Sequence, residues 1–429
     1  MLFLWEFDMN SNTKQLAILV LILLCSSFSS SSSFGENWDR FRGPNGQGLS
    51  VEKNLPVSWS ESDYSWVIKL SGKGYSSPVV WGDKVFITSA SEDNSKGWLA
   101  AYNVATGKEL WKKDYSFTPL KMHKLNSLAA STPALDGKHI YSIWYGKDKT
   151  RLIALDHDGG EVWSKDFEAT TLPLGQATSP IVYKDMVIFV HEQENTKEPL
   201  GKWIAVDKKN GDVRWSIEHL ADDNKASYLV PCVYTDRAGK DVIVFCSKQR
   251  GVCGVDPSSG TIVWQVEGVT PARPIAGPVI SGDLILNTSG GGGGGKGLSV
   301  VRPGVGADGK VETVYTLKGK FIPYVSTPIA VDGLFFFYHD KGNIACIDSL
   351  TGDIKWSEKP AGRFYSSPVY ADGKLYCMDM DGKLIVLAAG GKFEMLGESD
   401  LGESSYSSVA MSNGRVFLRT FTKLICVEK

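Results

Sequence analysis

Short runs of alternating apolar and polar residues recur along most of the chain, each ending at a turn rich in glycine, aspartate or asparagine. A typical unit opens with a small polar residue, a proline and β-branched residues, as in SSPVVWGDKVFI at 76–87. A second phrase follows it, here LAAYNVATGKELW at 99–111. Alternation with a period of two predicts strands, and Asp or Asn followed by Gly predicts the tight turn between them. Each unit therefore predicts four short antiparallel strands.

The first phrase occurs eight times, at steps of 40 to 55 residues. Val409 replaces the proline in the eighth copy. The other seven copies carry Pro78, Pro133, Pro180, Pro231, Pro278, Pro328 and Pro368. The second phrase ends on a tryptophan seven or eight residues after its Asp or Asn, and these residues are Trp111, Trp163, Trp215, Trp264 and Trp356. A four-stranded unit cannot bury both its faces alone, so the repeat predicts an all-β fold, a β-propeller of stacked blades.

The two ends of the repeat region predict how the ring closes. The last unit stops after KLICVE at 423–428, which is a third strand without a fourth. Near the N-terminus, SWVIKL at 65–70 carries Trp66, which precedes Pro78 by the same 12 residues that separate Trp356 from Pro368. An N-terminal strand around Trp66 is therefore expected to complete the last blade and leave no open sheet edge. The sequence predicts an eight-bladed propeller closed in this way.

The N-terminus has the pattern of a secretory signal peptide. Lys14 precedes the apolar run Leu16–Cys25, which is too short to span a bilayer and has the length of a signal core. Small residues before Glu36 place the expected cleavage between Gly35 and Glu36. Acidic residues precede Met9, so Met9 is the expected physiological start.

Three segments follow from this interpretation: a signal peptide over 1–35, a leader packed on the propeller over 36–58, and the propeller over 59–429. The mature chain is expected to be exported to the periplasm or the extracellular space, with no transmembrane span. Lipidation at Cys25 stays open as an alternative, although Leu24 stands where a small residue is expected.

Charge and cysteine content exclude several classes of protein. The net charge of −2 does not provide the positive potential that nucleic-acid binding requires. Six cysteines remain after the signal, without a C-x-x-C motif or a Cys/His cluster at zinc spacing. We expect them to be small buried strand residues. A disulfide between Cys246 and Cys253 across a hairpin stays open.

The glycine run at 290–295, followed by Lys296, resembles a phosphate-binding P-loop. Gly297 stands where a P-loop needs Ser or Thr, and the following LSVVRP at 298–303 has no helical period. The run is therefore expected to be a long flexible hairpin loop in blade 5 and not a nucleotide site.

The second phrase is similar to the PQQ-type propeller repeat, A-x-D-x-x-T-G-x-x-x-W, most fully at 101–111, where Asn103 replaces the Asp. The leader segment NWDRFRGPNGQGLS at 37–50 also resembles the start of bacterial exported PQQ-binding-like β-propeller repeat proteins, which are related to the outer-membrane assembly lipoprotein BamB. The resemblance implies a non-catalytic scaffold that binds a protein, peptide or polysaccharide partner in the cell envelope. We expect a monomer.

A PQQ-dependent oxidoreductase acting on alcohols or sugars is the alternative function, because quinoprotein dehydrogenases share this blade. Those enzymes carry an adjacent-cysteine disulfide and a calcium site, and this chain has no Cys-Cys pair. PQQ and calcium are thus possible cofactors that no site residue supports. We expect no catalytic constellation and no metal site, and DMDGK at 379–383 is expected to be a turn.

The connections from each tryptophan strand to the next inner strand are expected to gather at one rim of the ring, where propellers commonly bind their partners. Tyrosine and arginine at such a mouth suit a polar or peptide ligand, and a small-molecule receptor is a further hypothesis. The candidate rim or channel residues are Tyr75, His123, Lys124, Asn126, Gln176, Tyr228, Arg273, Tyr324, Arg363, Tyr365 and Tyr406. The alternative that they only fill and hydrogen-bond the channel stays open.

Overall fold

The computed structural model describes residues 36–119, 121–170, 175–193, 200–220, 227–304, 310–360 and 362–428. The expected start at Met9, the signal peptide ending at Gly35 and the alternative anchor at Cys25 lie outside these residues. Within the described ranges no helix has the length and apolar character that a bilayer crossing requires.

The predicted eight-bladed propeller is confirmed. Eight antiparallel blades of four strands surround a central axis, and each runs from an inner strand to an outer one; the sheet of blade 7 has one further strand. Blade 1 consists of β3 (Val79–Trp81), β4 (Lys84–Ala90), β5 (Lys96–Asn103) and β6 (Glu109–Ser116). Blade 2 consists of β7 (Ala134–Leu135), β8 (His139–Tyr145), β9 (Thr150–Asp156) and β10 (Glu161–Phe167). Blade 3 consists of β11 (Ile181–Tyr183), β12 (Met186–His191), β13 (Leu200–Asp207) and β14 (Val213–Leu220).

The remaining blades repeat this pattern. Blade 4 consists of β15 (Cys232–Thr235), β16 (Asp241–Ser247), β17 (Gly251–Val255) and β18 (Ile262–Val266). Blade 5 consists of β19 (Val279–Ser281), β20 (Leu284–Gly290), β21 (Gly295–Pro303) and β22 (Val311–Leu317). Blade 6 consists of β23 (Ile329–Val331), β24 (Leu334–Tyr338), β25 (Ile344–Asp348) and β26 (Ile354–Glu358). Blade 7 consists of β27 (Val369–Ala371), β28 (Lys374–Met378), β29 (Lys383–Ala388) and β30 (Met395–Asp400). Blade 8 consists of β31 (Ala410–Ser412), β32 (Arg415–Arg419), β33 (Lys423–Glu428) and the N-terminal β2 (Tyr64–Lys69).

Ring closure occurs where the sequence predicts it. Strand β2 pairs antiparallel with β33, and Trp66 lies opposite Cys426. The fully buried Arg419 of blade 8 joins the seam to blade 1, donating to the Ser76 carbonyl at 3.1 Å and the Thr88 carbonyl at 2.7 Å. Burial lowers the pKa of Arg419 to about 9, so the guanidinium stays charged at neutral pH.

A belt of hydrogen bonds near the axis connects neighbouring blades. In six of the eight blades, the residue before the repeat proline, or before Val409 in blade 8, donates its backbone N–H to the side-chain hydroxyl of the equivalent residue in the next blade. These bonds join Ser77 to Thr132 (2.9 Å), Thr132 to Ser179 (2.9 Å), Gly277 to Thr327 (3.1 Å), Thr327 to Ser367 (2.9 Å), Ser367 to Ser408 (2.9 Å) and Ser408 to Ser77 (3.1 Å). The belt is interrupted at blades 4 and 5, where Val230 and Gly277 carry no hydroxyl. A Cβ on Gly277 would lie 2.8 Å from the Val230 carbonyl oxygen, so serine does not fit there.

The repeat tryptophans connect the blades farther from the axis. Trp66 of blade 8 donates its indole N–H to the Val104 carbonyl of blade 1 at 3.0 Å, and its ring covers Gly107. Gly107 has φ 68° and has no room for a Cβ beside the ring, which explains why the signature needs glycine. The same bond is made by Trp111 to His157, Trp163 to Lys208, Trp215 to Pro257 and Trp356 to Gly390.

Three positions depart from this tryptophan rule, and one of them is in blade 7, where Gly397 occupies the position. Trp264 packs its ring over Gly254 of its own blade, where a Cβ would lie 2.1 Å from the ring. In blade 5, Tyr315 replaces the tryptophan and donates its hydroxyl to the Ser349 carbonyl of blade 6 at 2.9 Å. The sequence signature did not identify Tyr315 because it was defined by Trp.

The leader lies across the inner strands. Its two-residue strand β1 (Leu49–Ser50) pairs in parallel with β27, which gives blade 7 a fifth strand. Two short 3-10 turns, Pro44–Gly46 and Glu61–Asp63, lie before and after β1. The guanidinium of Arg42, 1 % exposed, donates to the carbonyls of Pro328 at 2.9 Å and Pro368 at 3.3 Å. Because these prolines directly precede the inner strands β23 and β27, the leader fixes blades 6 and 7 to each other.

The described cysteines are free and buried. Cys246 lies opposite Val252 and Cys253 lies opposite Phe245, so the two thiols point to opposite faces of the hairpin. This register does not allow the disulfide that the spacing left open.

The belt can be tested with Thr132→Val, which preserves the shape of the side chain but leaves the buried Ser77 amide without its acceptor. We expect the free energy of unfolding to fall by about 1–3 kcal/mol. The matched control is Ser131→Ala, because the Ser131 hydroxyl is buried without a hydrogen-bond partner. Urea unfolding of both variants checks this, and an equal loss for the two would contradict the belt.

The leader can be tested with Arg42→Lys, which keeps the charge but loses the forked guanidinium. We expect a loss of about 2–4 kcal/mol in the free energy of unfolding, since an ammonium is more strongly hydrated and costs more to bury, and it cannot replace both guanidinium nitrogens, of which one bonds the carbonyls of Pro328 and Pro368 and the other that of Gly46. Arg237→Lys, at an exposed ion pair with Asp283, serves as the control and should change little. Unfolding midpoints that match for the two variants would show that Arg42 does not anchor the leader.

Candidate functional site

An axial cavity of about 900 Å³ opens at the rim where the connections between blades gather. Five tyrosines line it, each three or four residues before the repeat proline or, in blade 8, before Val409. They are Tyr75, Tyr228, Tyr324, Tyr365 and Tyr406. Since these positions are equivalent in different blades, the ring symmetry brings them together around one axis.

The opposite end of the cavity is formed by the leader and the belt. Phe41 of the leader contributes to the lining, between the buried Arg40 and Arg42. The belt residues Thr132, Ser179, Thr327 and Ser367 also line the cavity. The cavity is therefore a well whose inner end the leader covers.

Three tyrosines form one side, which we call the aromatic wall: Tyr75, Tyr365 and Tyr406. The ring of Tyr406 lies 4.8 Å from that of Tyr75 and 5.4 Å from that of Tyr365, measured between centroids. Phe421 supports the wall, with its ring 4.9 Å from Tyr406 and 5.1 Å from Tyr75. Burial raises the pKa of all three tyrosines, so their hydroxyls are neutral at physiological pH.

Three cations contribute to the lining from blades 4 and 5, and we call them the cationic wall: Lys248, Arg273 and Lys296. The Arg273 guanidinium lies between two rings, 5.2 Å from the centroid of Tyr228 and 5.5 Å from that of Tyr324. It also donates a hydrogen bond to the Tyr324 hydroxyl. These contacts restrict the orientation of the guanidinium.

The two tyrosines beside Arg273 are themselves held. The Tyr228 hydroxyl donates to the Gly175 carbonyl at 2.5 Å. The Tyr324 amide donates to the buried carboxylate of Asp340 at 2.7 Å. The cationic wall is therefore supported by a connection between blades on one side and by the turn between β24 and β25 on the other.

The glycine run forms part of this rim, but it is not the long loop that the sequence predicted. Strands β20 and β21 extend into the run, Gly290 pairs with Gly295, and only 291–294 form the turn. Gly290 packs against Tyr324 so closely that a Cβ would lie 2.7 Å from its ring. Lys296 lies within β21, which continues as a strand to Pro303, in agreement with the exclusion of a P-loop.

Eight of the eleven candidate residues line the cavity: Tyr75, His123, Asn126, Tyr228, Arg273, Tyr324, Tyr365 and Tyr406. Lys124 and Arg363 are exposed outside the lining. Gln176 is buried and donates to the Val190 carbonyl at 2.9 Å, so it supports the backbone. Sequence reasoning missed Phe41, Lys248 and Lys296, because their approach to the axis depends on the ring and not on a repeat position.

A calcium-held quinone does not fit the donor set of this cavity. No Asp or Glu is present among its described lining residues, whereas calcium prefers carboxylate oxygens. Across the described part of the chain, no three His, Cys, Asp or Glu side chains are grouped to hold a metal ion. His219 and Glu192 form a pair at 3.0 Å, but both are 1 % exposed and cannot meet a substrate in solution.

Comparisons with solved structures support the fold. The chain is similar to BamB from Moraxella catarrhalis, with a TM-score of 0.59 at 12% identity over 85% of this chain and 98% of that one. It is also similar to a quinohemoprotein alcohol dehydrogenase from Comamonas testosteroni, with a TM-score of 0.60 at 13% identity over 91% of this chain and 80% of that one. At these identities both similarities concern the fold alone.

Comparisons of sequence identify the family. Outer membrane protein assembly factor BamB of Yersinia pestis is 24% identical over 76% of this chain and 68% of its own length. The protein of the same name from Moranella endobia (strain PCIT) is 21% identical over 73% of this chain and 64% of its own length. The family model described as outer membrane protein assembly factor BamB matches residues 97–230 and 255–428, which is more than half of the sequence. The chain therefore belongs to the BamB family of β-propellers.

Proposed function

We propose that the protein is a non-catalytic exported scaffold of the cell envelope, which binds a protein, peptide or glycan partner at its rim and axial cavity. The observation that carries the proposal is the well itself, open at the rim, covered by the leader at its inner end and lined by loops of successive blades. A rigid ring that presents such loops is suited to binding, because its contacts are ordered before the partner arrives.

The family supports an envelope location and a protein partner. Relatives named outer membrane protein assembly factors act in the assembly of outer membrane proteins, as their name states. Export by cleavage between Gly35 and Glu36 remains part of this proposal, as do the leader over 36–58 and the propeller from residue 59.

The proposed contact residues fall into two groups. The candidates that line the cavity would contact a small or terminal group of the partner. Lys124 and Arg363, which are exposed beside the cavity, would contact the surface of a larger partner. Exposed charges at the edge of an interface contribute mainly to the rate and specificity of association.

Partner binding can be tested by cross-linking purified protein from residue 36 onward to an envelope extract. Reversing the charge at both rim positions, Lys124→Glu with Arg363→Glu, is expected to reduce the captured partner about tenfold. Lys113→Glu on the exposed outer strand β6 is the control and should capture as much as the parent. Equal capture by all three proteins would exclude the rim as the binding face.

The oxidoreductase alternative predicts a different result. Purified protein mixed with PQQ and Ca²⁺ is expected to leave the quinone absorbance unchanged, and dye reduction with alcohols or sugars should stay at background. The reason is that the described lining supplies no carboxylate for the cation. Turnover that depends on PQQ would reject the non-catalytic function.

A further inference from the structure

The two walls of the cavity face each other across the ring. Lys248 lies between β16 and β17, Arg273 between β18 and β19, and Lys296 in β21, so the cationic wall belongs to blades 4 and 5. The aromatic wall comes from the connections that enter blades 7, 8 and 1. In a ring of eight, blades 4 and 5 are opposite blades 8 and 1. A ligand in the well therefore meets ring faces on one side and positive charge on the other.

The aromatic wall suits the face of a sugar ring. Tyrosine offers a flat apolar surface together with a hydroxyl that can both donate and accept. A sugar presents the matching combination, an apolar face of C–H groups with hydroxyls around its edge. The neutral phenols of Tyr75, Tyr365 and Tyr406 can exchange hydrogen bonds with such hydroxyls in either direction.

The cationic wall suits an anionic group. The Arg273 side chain is held in one orientation by two tyrosine rings, which lowers the entropic cost of binding a carboxylate. Lys296 is exposed on the glycine hairpin and adds charge at the mouth. The charged side chains that the described lining contributes on this side are cations, which attract a carboxylate.

The depth and the belt favour the end of a glycan chain over a peptide. The cavity of about 900 Å³ holds a few sugar units but closes on Phe41, so a long chain cannot pass through. A peptide would need backbone partners in the well. There the amides of the lining residues Thr132, Thr327 and Ser367 already donate to belt hydroxyls.

We propose that the axial cavity binds the terminal units of an acidic oligosaccharide, with a sugar ring against the aromatic wall and its carboxylate toward the cationic wall. The proposal rests on the proposed function, because it assigns the ligand of the same cavity. It differs from that function in naming one chemical class, a carboxylate-bearing glycan.

Calorimetric titration with a galacturonate hexamer, the neutral galactose hexamer and a glutamate hexapeptide tests it. The acidic sugar is expected to bind about tenfold or more tightly than either of the others. Arg273→Gln, Lys296→Gln and Tyr406→Leu should each weaken its binding about tenfold, and added salt should weaken it further. Lys113→Gln and Arg214→Gln on exposed outer strands are charge-matched controls and should bind like the parent.

The proposal would be overturned if the galacturonate hexamer did not bind, if the neutral hexamer bound equally well, or if the wall variants bound like the controls. Tighter binding of the glutamate hexapeptide would assign the cavity to an acidic peptide instead. Lys296 is exposed, so its variant remains informative even if Arg273→Gln does not fold. Partner capture through Lys124 and Arg363 is measured separately. Its result distinguishes failure of this ligand from failure of the scaffold function.

Discussion

The contact between neighbouring blades is the interaction on which the rest of the structure depends. Each blade has two apolar faces and is stable only when both are covered, so the ring exists because every sheet packs on the next. Two sets of directed bonds fix that packing, the hydroxyl belt near the axis and the tryptophan N–H bonds farther out. Apolar packing alone would permit sliding, whereas these bonds set the position of each blade. Strand β2 then supplies the fourth strand of blade 8 and joins the N-terminal and C-terminal parts of the propeller.

The leader compensates for the interruption of the belt. Blades 4 and 5 lack the hydroxyl, and the leader bonds to both of them. Arg40 donates to the Pro231 carbonyl at 2.6 Å, and Asn45 exchanges two hydrogen bonds of 2.8 Å with Val233. Gln47 accepts from the Ile280 amide at 2.8 Å. The segment that covers the inner end of the cavity is thus also the one that stabilises the wall carrying its positive charge.

Rigidity and recognition have the same origin in this fold. The connections that carry the tyrosines begin at one blade and end at the next, so their geometry follows from the bonds between blades. Arg273 illustrates the consequence, since its guanidinium lies between tyrosines from the connections on either side of its own. A side chain ordered in this way loses little freedom when it binds, and the free energy of the contact is retained for affinity.

The sequence by itself determined the strand pattern, the number of blades, the closure around Trp66, and the five tyrosines and Arg273 that line the cavity. These features are local or periodic, so they can be recognised in a single sequence. The signals are a period of two, a turn residue or a fixed distance to a proline. Only the tertiary structure decided the belt, the substitution of Tyr315 for a tryptophan, the short turn of the glycine hairpin and the place of Phe41 and Lys248 in the cavity. The physical reason is that each of these depends on contacts between distant residues, whose positions are set by the packing of eight sheets around one axis.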